Sequence, residues 1–376
     1  MTLLLVPIFV LYFALVMVLI FGWNRALKGS YISNPLKEHE PLVSVIVPAR
    51  NEGQNIGNLM LDLSRQRYGH FQVIIVDDHS EDDTAEVVRL FVQKDNRFEL
   101  KQASGIGKKQ ALAQGIAVAS GSIIVTTDAD CRVTENWISG LKQHFRKEQT
   151  MMVFGGVRME GSSFLANVQA MEFVSLIGSG AATAALGMPT MCNGANLAFR
   201  KSAFESVNGY QGNFHIPSGD DEFLMKKIHH QYPGGVIFAS DPRTVVTTSA
   251  NTTLRQFLHQ RIRWAGKWKL HQSVPSKALA LFIFCFQLAV IFLLLGMALQ
   301  WVSLKDGLLL WLGKIFIEYI FLWKVSRFFR VSWNWRAFIF LQLVYPFYVT
   351  GIGLTANIYS FEWKGRKLKS LMVSNT

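Results

Sequence analysis

Three cysteines in 376 residues are too few and too scattered for a disulfide framework. Cys131, Cys192 and Cys285 also lack the paired spacing of a thiolate metal site, and this usage suits a reducing compartment. No internal repeat or low-complexity stretch is present, which excludes solenoid and disordered architectures. Acidic residues are the minority: 26 Asp and Glu against 38 Lys and Arg give a formal charge of +12. Much of that positive charge flanks apolar runs, so attraction to anionic lipid accounts for it, and no nucleic-acid partner is expected. A Walker loop is missing as well. Gly105-Ile106-Gly107-Lys108 is followed by Lys109 where Ser or Thr is required, and Gln110 replaces the third glycine of a dinucleotide fingerprint. A P-loop ATPase or nucleotide-driven transporter is thereby disfavoured.

What the chain does have is hydrophobic sequence, 50% of all residues, unevenly distributed. Residues 3–22 carry no charge and are long enough to span a bilayer. They have neither the basic leader nor the small-residue cleavage site of a secretory signal. Arg25 and Lys28 follow the run, which favours a cytoplasmic continuation. Further apolar blocks cover Ala278–Trp301, Gly307–Trp323 (with Lys314 and Glu318 inside) and Ala337–Phe361 (with Pro346, Gly351 and Gly353). The connection holding Lys324, Arg327, Arg330 and Arg336 has no acid and is expected in the cytoplasm. The tail with Lys364, Arg366, Lys367 and Lys369 is equally basic, yet a single crossing between them places it outside. Three resolutions stay open: failure of the charge rule, a re-entrant fourth segment, or a third segment lying partly in the interface.

Between the membrane segments, strand-like and helix-like stretches alternate. Strands are predicted at Leu42–Val47, Gln72–Val76, Phe98–Lys101 and Ser122–Thr127, with more at 151–157, 195–199 and 236–248. Helical spacing falls between them, over Asn55–Gln66, from Asp82 through Val92, and over Lys108–Ala119. This β-α-β-α order predicts an α/β fold with a mostly parallel sheet. Ser162–Leu186 is apolar and rich in small residues; of a core helix and an amphipathic surface segment, the second is expected.

Chemistry concentrates at predicted strand ends. Asp128-Ala129-Asp130 directly follows the apolar strand 122–127. Ligands bind outside the carboxyl ends of such strands. Two ionised carboxylates this close repel unless a cation lies between them, and magnesium favours few carboxylates plus substrate phosphates. Pro48-Ala49-Arg50-Asn51-Glu52 ends the first strand and Asp77-Asp78 the second, so three successive strand ends carry acids or amides. Gly105–Lys108 opens the next helix and favours phosphate at its N-terminus. Gly219-Asp220-Asp221-Glu222 starts another helix, where first-turn acids also complement the dipole. Gln260-Arg261-Ile262-Arg263-Trp264 precedes the second membrane block; a snorkelling juxtamembrane helix is the structural alternative.

Taken in order, Pro48–Glu52, Asp77–Thr84, Asp128–Asp130, Asp220-Asp221 and Gln260–Trp264 resemble the motifs of membrane-bound family 2 glycosyltransferases. That branch includes cellulose, chitin and hyaluronan synthases, poly-N-acetylglucosamine synthases and ceramide glucosyltransferases. The resemblance covers residues 40–270. It implies a GT-A fold (a Rossmann-like, mostly parallel sheet) flanked by transmembrane helices, a nucleotide-sugar donor, Mg2+ or Mn2+, and inversion at the anomeric carbon. It further implies that Pro48, Asn51, Glu52, Asp77 and Asp78 line the donor site, with Glu52 and Asp77 against the nucleoside. Lys108, Gln260 and Arg263 would meet the diphosphate, Asp128 and Asp130 the nucleotide and its metal. Asp221 matches the catalytic base; Trp264, Asp220, Asn193 and Gly194 fall on the acceptor side.

The chain departs from the family pattern where Asp220 replaces a glutamate and Gly219 a threonine of the T-E-D motif, and where Ala113 replaces an asparagine. The implied organisation is a membrane helix over 1–23, a catalytic domain over 40–250, an interfacial helix over 251–277, a region of two to four spans over 278–361 and a basic tail over 362–376. The expected protein is an integral membrane enzyme of the bacterial inner (plasma) membrane with its catalytic domain cytoplasmic. Its expected acceptor is a membrane lipid, since three or four segments form a thin wall for exporting a polymer. Growing glycan is the alternative acceptor, and a membrane-tethered binding domain the non-enzymatic one. A mobile lid near 215–220 or 260–268 is a further expectation.

Overall fold

The structure, a computed structural model, describes residues 2–28, 40–214, 216, 218–266, 274–355, 361–363 and 366–368. In chain order the elements begin with helix α1 (Thr2–Lys28), β1 (Val43–Ala49), α2 (Gly53–Ser64), β2 (Phe71–Asp77), α3 (Thr84–Val92) and β3 (Phe98–Gln102). They continue with α4 (Lys108–Val118), β4 (Ile123–Thr126), α5 (Trp137–Lys142), β5 (Met152–Phe154), β6 (Val157–Glu160) and α6 (Phe164–Ala185). Next come β7 (Leu197–Arg200), α7 (Lys201–Ser206), α8 (Asp220–Gln231), β8 (Val236–Phe238) and β9 (Val246–Ser249). The chain closes with α9 (Leu254–Ala265), α10 (Val274–Ala298), α11 (Leu304–Phe329), α12 (Trp335–Thr355), β10 (Phe361–Trp363) and β11 (Arg366–Leu368).

Two compact units divide the chain. The α/β unit comprises Gly22–Glu160 and Leu176–Ser249; the helical unit comprises Met1–Phe21, Gly161–Ser175 and Ala250–Thr376. The catalytic stretch expected over 40–250 is therefore interrupted, because residues 161–175 group with the helices.

A seven-stranded sheet of order β3-β2-β1-β4-β7-β5-β8 organises the α/β unit. β1 to β4 are parallel, β7 runs antiparallel to both β4 and β5, and β5 is parallel to β8. β1, β2 and β4 are rich in Val and Ile because all their residues but Pro48 and Gln72 are buried, as in parallel strands covered on both faces. Register aligns the strand ends: Ala49 lies opposite Asp77, and Asp77 opposite Gln102. The polar residues that follow β1 and β2 therefore emerge at one edge. A separate pair, β6 with β9, is also parallel.

Two expectations for this region need correction. The single strand predicted over 236–248 is two strands in different sheets. Asp241-Pro242 separates them: proline cannot donate to a ladder, and the Asp241 side chain accepts the Arg243 N–H at 2.9 Å in a 3-10 turn. The segment expected at the membrane surface is α6, which is buried on nearly every side from Ala166 to Ala184 and is a core helix. Its small residues permit close packing, and its two polar interior residues, Gln169 and Glu172, find partners.

Among the described residues, three helices are long and apolar enough to cross a membrane: Leu4–Lys28, Ser276–Ala298 and Trp335–Thr355. α12 is continuous through Pro346, so it has no re-entrant break there. α11 is as long but carries Lys314 and Glu318 one turn apart. Lys314 is 1% exposed; its ammonium donates to Glu318 Oε2 (2.9 Å) and Gln342 Oε1 (2.8 Å), while Tyr12 donates to Glu318 Oε1 (2.5 Å). Most of the basic tail over 362–376 lies outside the described residues.

Candidate active site

The ends of β1 and β2 are knitted into one rim. Asn51 sits at a positive φ of 50°, donates its N–H to Ser80 Oγ (3.0 Å) and accepts the Glu81 N–H on Oδ1 (2.9 Å). Arg50, 7% exposed, donates to the carbonyls of Asp78 (2.8 Å) and His79 (2.7 Å) and pairs with Glu81. Glu52 donates its N–H to Thr84 Oγ1 (2.8 Å) and accepts from Asn55 Nδ2 (2.8 Å) at the start of α2. Asp77 accepts from the Ser80 hydroxyl and N–H, whereas buried Asp78 accepts the Gly107 N–H on Oδ2 (3.0 Å). Asp78 thus ties β2 to the start of α4. Pro48 remains within β1, opposite Val76.

The acid pair follows β4 as the sequence predicts. Asp128 and Asp130 are half-buried, and Ala129 between them packs inward at 2% exposure, so the two carboxylates share the open side of the turn. Asp128 Oδ1 lies 2.6 Å from Lys108 Nζ, and Asp220 Oδ2 lies 3.5 Å from the same ammonium. Lys108 is the first residue of α4 and Asp220 the first of α8, so two helix starts and a strand end converge. Asp221 completes the group: its Oδ2 accepts the Gly194 N–H (3.0 Å) and its Oδ1 the Glu222 N–H (2.7 Å). Gly194 is held by Thr126 Oγ1, which donates to its carbonyl at 2.8 Å, and Asn193 Oδ1 accepts the Ala195 N–H at 2.9 Å. A Cβ on Gly194 would stand 3.0 Å from Asp220 Oδ2 and 3.6 Å from Lys108 Nζ, so a side chain there would press on the Asp220 carboxylate by a few tenths of an ångström. Gly219 precedes it in the left-handed region (φ 80°), turning the chain so that α8 begins with its acids at the site.

Electrostatics here are one-sided. Burial opposes the charge on Lys108, but Asp128, Asp220 and Asp221 outweigh it and raise its pKa above the ordinary lysine value. Even with Lys108 charged, carboxylates outnumber ammoniums. Among the described residues, no three His, Cys, Asp or Glu side chains converge as a ready-made metal site. Asp128 and Asp130 fit a hard divalent ion that takes one or two carboxylates and fills its shell with phosphate and water. Asp130 is oriented by Thr248 Oγ1, 3.5 Å from its Oδ2.

Gln260, Arg263 and Trp264 lie on α9, in the helical unit. Gln260 Oε1 accepts from Asn251 Nδ2 (3.0 Å) and from Arg261 Nη1 (2.5 Å). Arg263 is half-buried. Trp264 packs on Phe173 (centroids 5.8 Å apart) and beneath the Arg261 guanidinium (4.3 Å). Arg261 is the buried member of the motif, 4% exposed, and forks onto Glu172 of α6, its Nε 3.0 and 3.1 Å from the two carboxylate oxygens. A capping box at Thr253 and Gln256 starts this helix.

Sequence reasoning missed the residues that hold the site. Arg132 forks onto buried Asp62 (2.6 and 2.8 Å), fixing the chain just after Asp130. Lys109, considered only as an obstacle to a Walker loop, is 5% exposed and donates to three backbone carbonyls. The one available signal was polarity in the wrong place: Asp62 interrupts the apolar face of α2, between Leu59, Met60 and Leu63.

A mixed sheet with an acid pair at the end of β4, facing a helix-start lysine, defines the GT-A class of α/β domain. The same fold occurs in a mannosyltransferase from Pyrobaculum calidifontis solved with GDP-Man and Mn2+, at TM-score 0.62 and 20% identity over 94% of this chain and 99% of that one. Residues 44–207 match the family described as Glycosyl transferase family 2. Similar curated proteins include glycosyltransferase GlyG of Streptococcus pneumoniae serotype 4, 36% identical over 30% of this chain and 38% of that protein. An N-acetylglucosaminyltransferase of Rhizobium meliloti is 28% identical over 65% of this chain and 60% of its own length. A poly-beta-1,6-N-acetyl-D-glucosamine synthase of Staphylococcus aureus is 27% identical over 69% and 63%. The matched region is thus less than two thirds of each of these relatives.

Proposed function

We propose that the chain is an inverting glycosyltransferase that moves a sugar from a nucleotide-sugar donor to a membrane-associated acceptor, a lipid in the first instance. The observation that carries this reading is the convergence of Asp128, Asp220 and Asp221 around Lys108. Lys108 would meet the donor diphosphate, with Asn51, Glu52 and Asp77 on the nucleoside side of the same edge. Asp128 and Asp130 would hold Mg2+ or Mn2+, which when bound neutralises charge on the departing diphosphate. Glycosyl transfer passes through an oxocarbenium-like transition state, so a donor fixed at its diphosphate needs only an acceptor oxygen relieved of its proton. Asp221, held by the Gly194 N–H, would take that proton. Asn193, Gly194 and Asp220 would border the acceptor.

Three apolar helices among the described residues support residence in a membrane, and Arg25 and Lys28 in the last turn of α1 support a cytoplasmic catalytic domain in a bacterial inner membrane. A growing glycan is the second reading, favoured by similarity to a poly-beta-1,6-N-acetyl-D-glucosamine synthase over 69% of this chain. Incubating the purified protein with a panel of labelled nucleotide sugars, Mn2+ and membrane lipid extract tests both. Label in the lipid phase is expected. A very large or water-soluble product replaces the lipid reading with the glycan one, and no transfer from any donor defeats the enzyme.

A further inference from the structure

The first turn of α4 presents two adjacent lysines with different surroundings. Lys108 faces the carboxylates, as described. Lys109 points into the protein and donates to the carbonyls of Asn213 (2.9 Å), Ile216 (2.7 Å) and Ser218 (3.0 Å), with the Phe223 ring of α8 5.4 Å away. A buried ammonium is costly unless its donors are all engaged; this one has three N–H groups and three carbonyls. The accepting residues all lie just ahead of Asp220 and Asp221. A second lysine, Lys227 of α8, takes the preceding carbonyls, those of Gly209 (2.8 Å) and Gln211 (2.7 Å). Five backbone carbonyls between α7 and α8 thus end on two ammonium groups.

The geometry points to Lys109 as a positioning residue for catalysis: by pinning the carbonyls of residues 213, 216 and 218, it sets where α8 begins and so where Asp221 stands. This rests on Asp221 being the base. The same helical turn then fixes both the cation for the diphosphate (Lys108) and the approach to the base (Lys109), coupling donor and acceptor sides through one rigid element. Arginine would not substitute, because its planar fork does not converge on three carbonyls about one point. Lys227 secures the other end of the connection.

The test uses the full chain. Lys109→Met should lower kcat roughly ten- to a hundredfold, the scale of a small misplacement of a reacting group. The donor KM should stay within about twofold, since Lys108 and the acid pair are untouched. In Lys109→Ala, propylammonium supplied in solution should restore part of kcat, and Lys227→Met should show a smaller loss of the same kind. Unchanged kcat in Lys109→Met, with Asp221→Asn inactive, overturns the pin alone. Joint loss of kcat and donor affinity without rescue by propylammonium also overturns it, because general destabilisation then accounts for the effect. Full activity in Asp221→Asn overturns the base assignment, and the pin with it.

Discussion

Charged clusters occupy both units, and they are built differently. In the helical unit, each buried cation among the described residues has a carboxylate: Arg261 forks onto Glu172, and Lys314 meets Glu318, with Gln342, Tyr12 and Tyr348 taking up further lone pairs and protons. In the α/β unit, Lys108 faces three carboxylates, those of Asp128, Asp220 and Asp221. A balanced, satisfied cluster is a structural device that fixes which helix faces meet. Under the proposed function, an unbalanced one at strand ends would be relieved by a cation and a phosphorylated ligand. Similar residue types therefore do opposite jobs, and the ratio of charges tells them apart.

Substitution in the unbalanced cluster should cost activity and spare the fold. The largest effect is expected from Asp221→Asn, which should slow transfer by roughly 10²–10⁴-fold, the usual share of a general base, with donor affinity nearly unchanged in a binding titration. Near-normal turnover would sink the assignment. Next, chelation should remove activity and added Mn2+ or Mg2+ should restore it. Asp130→Asn should require more metal for half-maximal rate and lose about a hundredfold or more at low metal, matching several kcal/mol of charge stabilisation. A wild-type enzyme that runs at full speed in excess chelator contradicts the role given to Asp128 and Asp130.

How much of this was legible in the sequence follows from how local each signal is. Asp128–Asp130 after an apolar run, Gly107-Lys108 at a helix start and Asp220-Asp221 in a first turn are read within a few residues, and each stands where the pattern places it. Their supports were not legible, because the partners are remote: Lys109 reaches Ser218, 109 residues on, and Arg132 reaches back 70 residues to Asp62. For α6, its apolar surface suits a core helix and a membrane surface alike. Only Arg261, 89 residues beyond Glu172, explains why an acid is tolerated inside it. The prediction also ran 236–248 together, although Ser240-Asp241-Pro242-Arg243-Thr244 breaks the hydrophobic pattern and contains a 3-10 turn.

The balanced cluster makes the contrasting prediction. Glu172→Ala strands the Arg261 guanidinium at 4% exposure and should destabilise the protein by about 3–5 kcal/mol, the range for breaking one side of a buried pair. The double replacement Glu172→Leu with Arg261→Met should recover most of that loss, read as thermal midpoints in detergent. If Glu172→Ala instead leaves the midpoint unmoved, the distinction between the two clusters collapses.

A smaller effect decides how acid sensitivity is assigned. Loss of stability on acidification would ordinarily be credited to the carboxylate clusters, yet His144 supplies a separate source in the α/β unit. It lies in the 3-10 turn after α5, 3% exposed, and its Nε2 finds no partner among the described residues. Burial pushes its pKa down to about 4 from 6.5; Asp241 opposes the shift and Lys147 adds to it. Because the folded value is the lower one, the unfolded chain binds the proton first. The stabilisation is complete above pH 6.5 and declines as pH falls toward 4, with no further change from this group below that. The window corresponds to roughly 3 kcal/mol at about 1.36 kcal/mol per unit. Urea midpoints measured from pH 7 to pH 4 should therefore fall in the wild type and flatten in His144→Leu. An equal slope in both proteins assigns the acid sensitivity to groups other than His144.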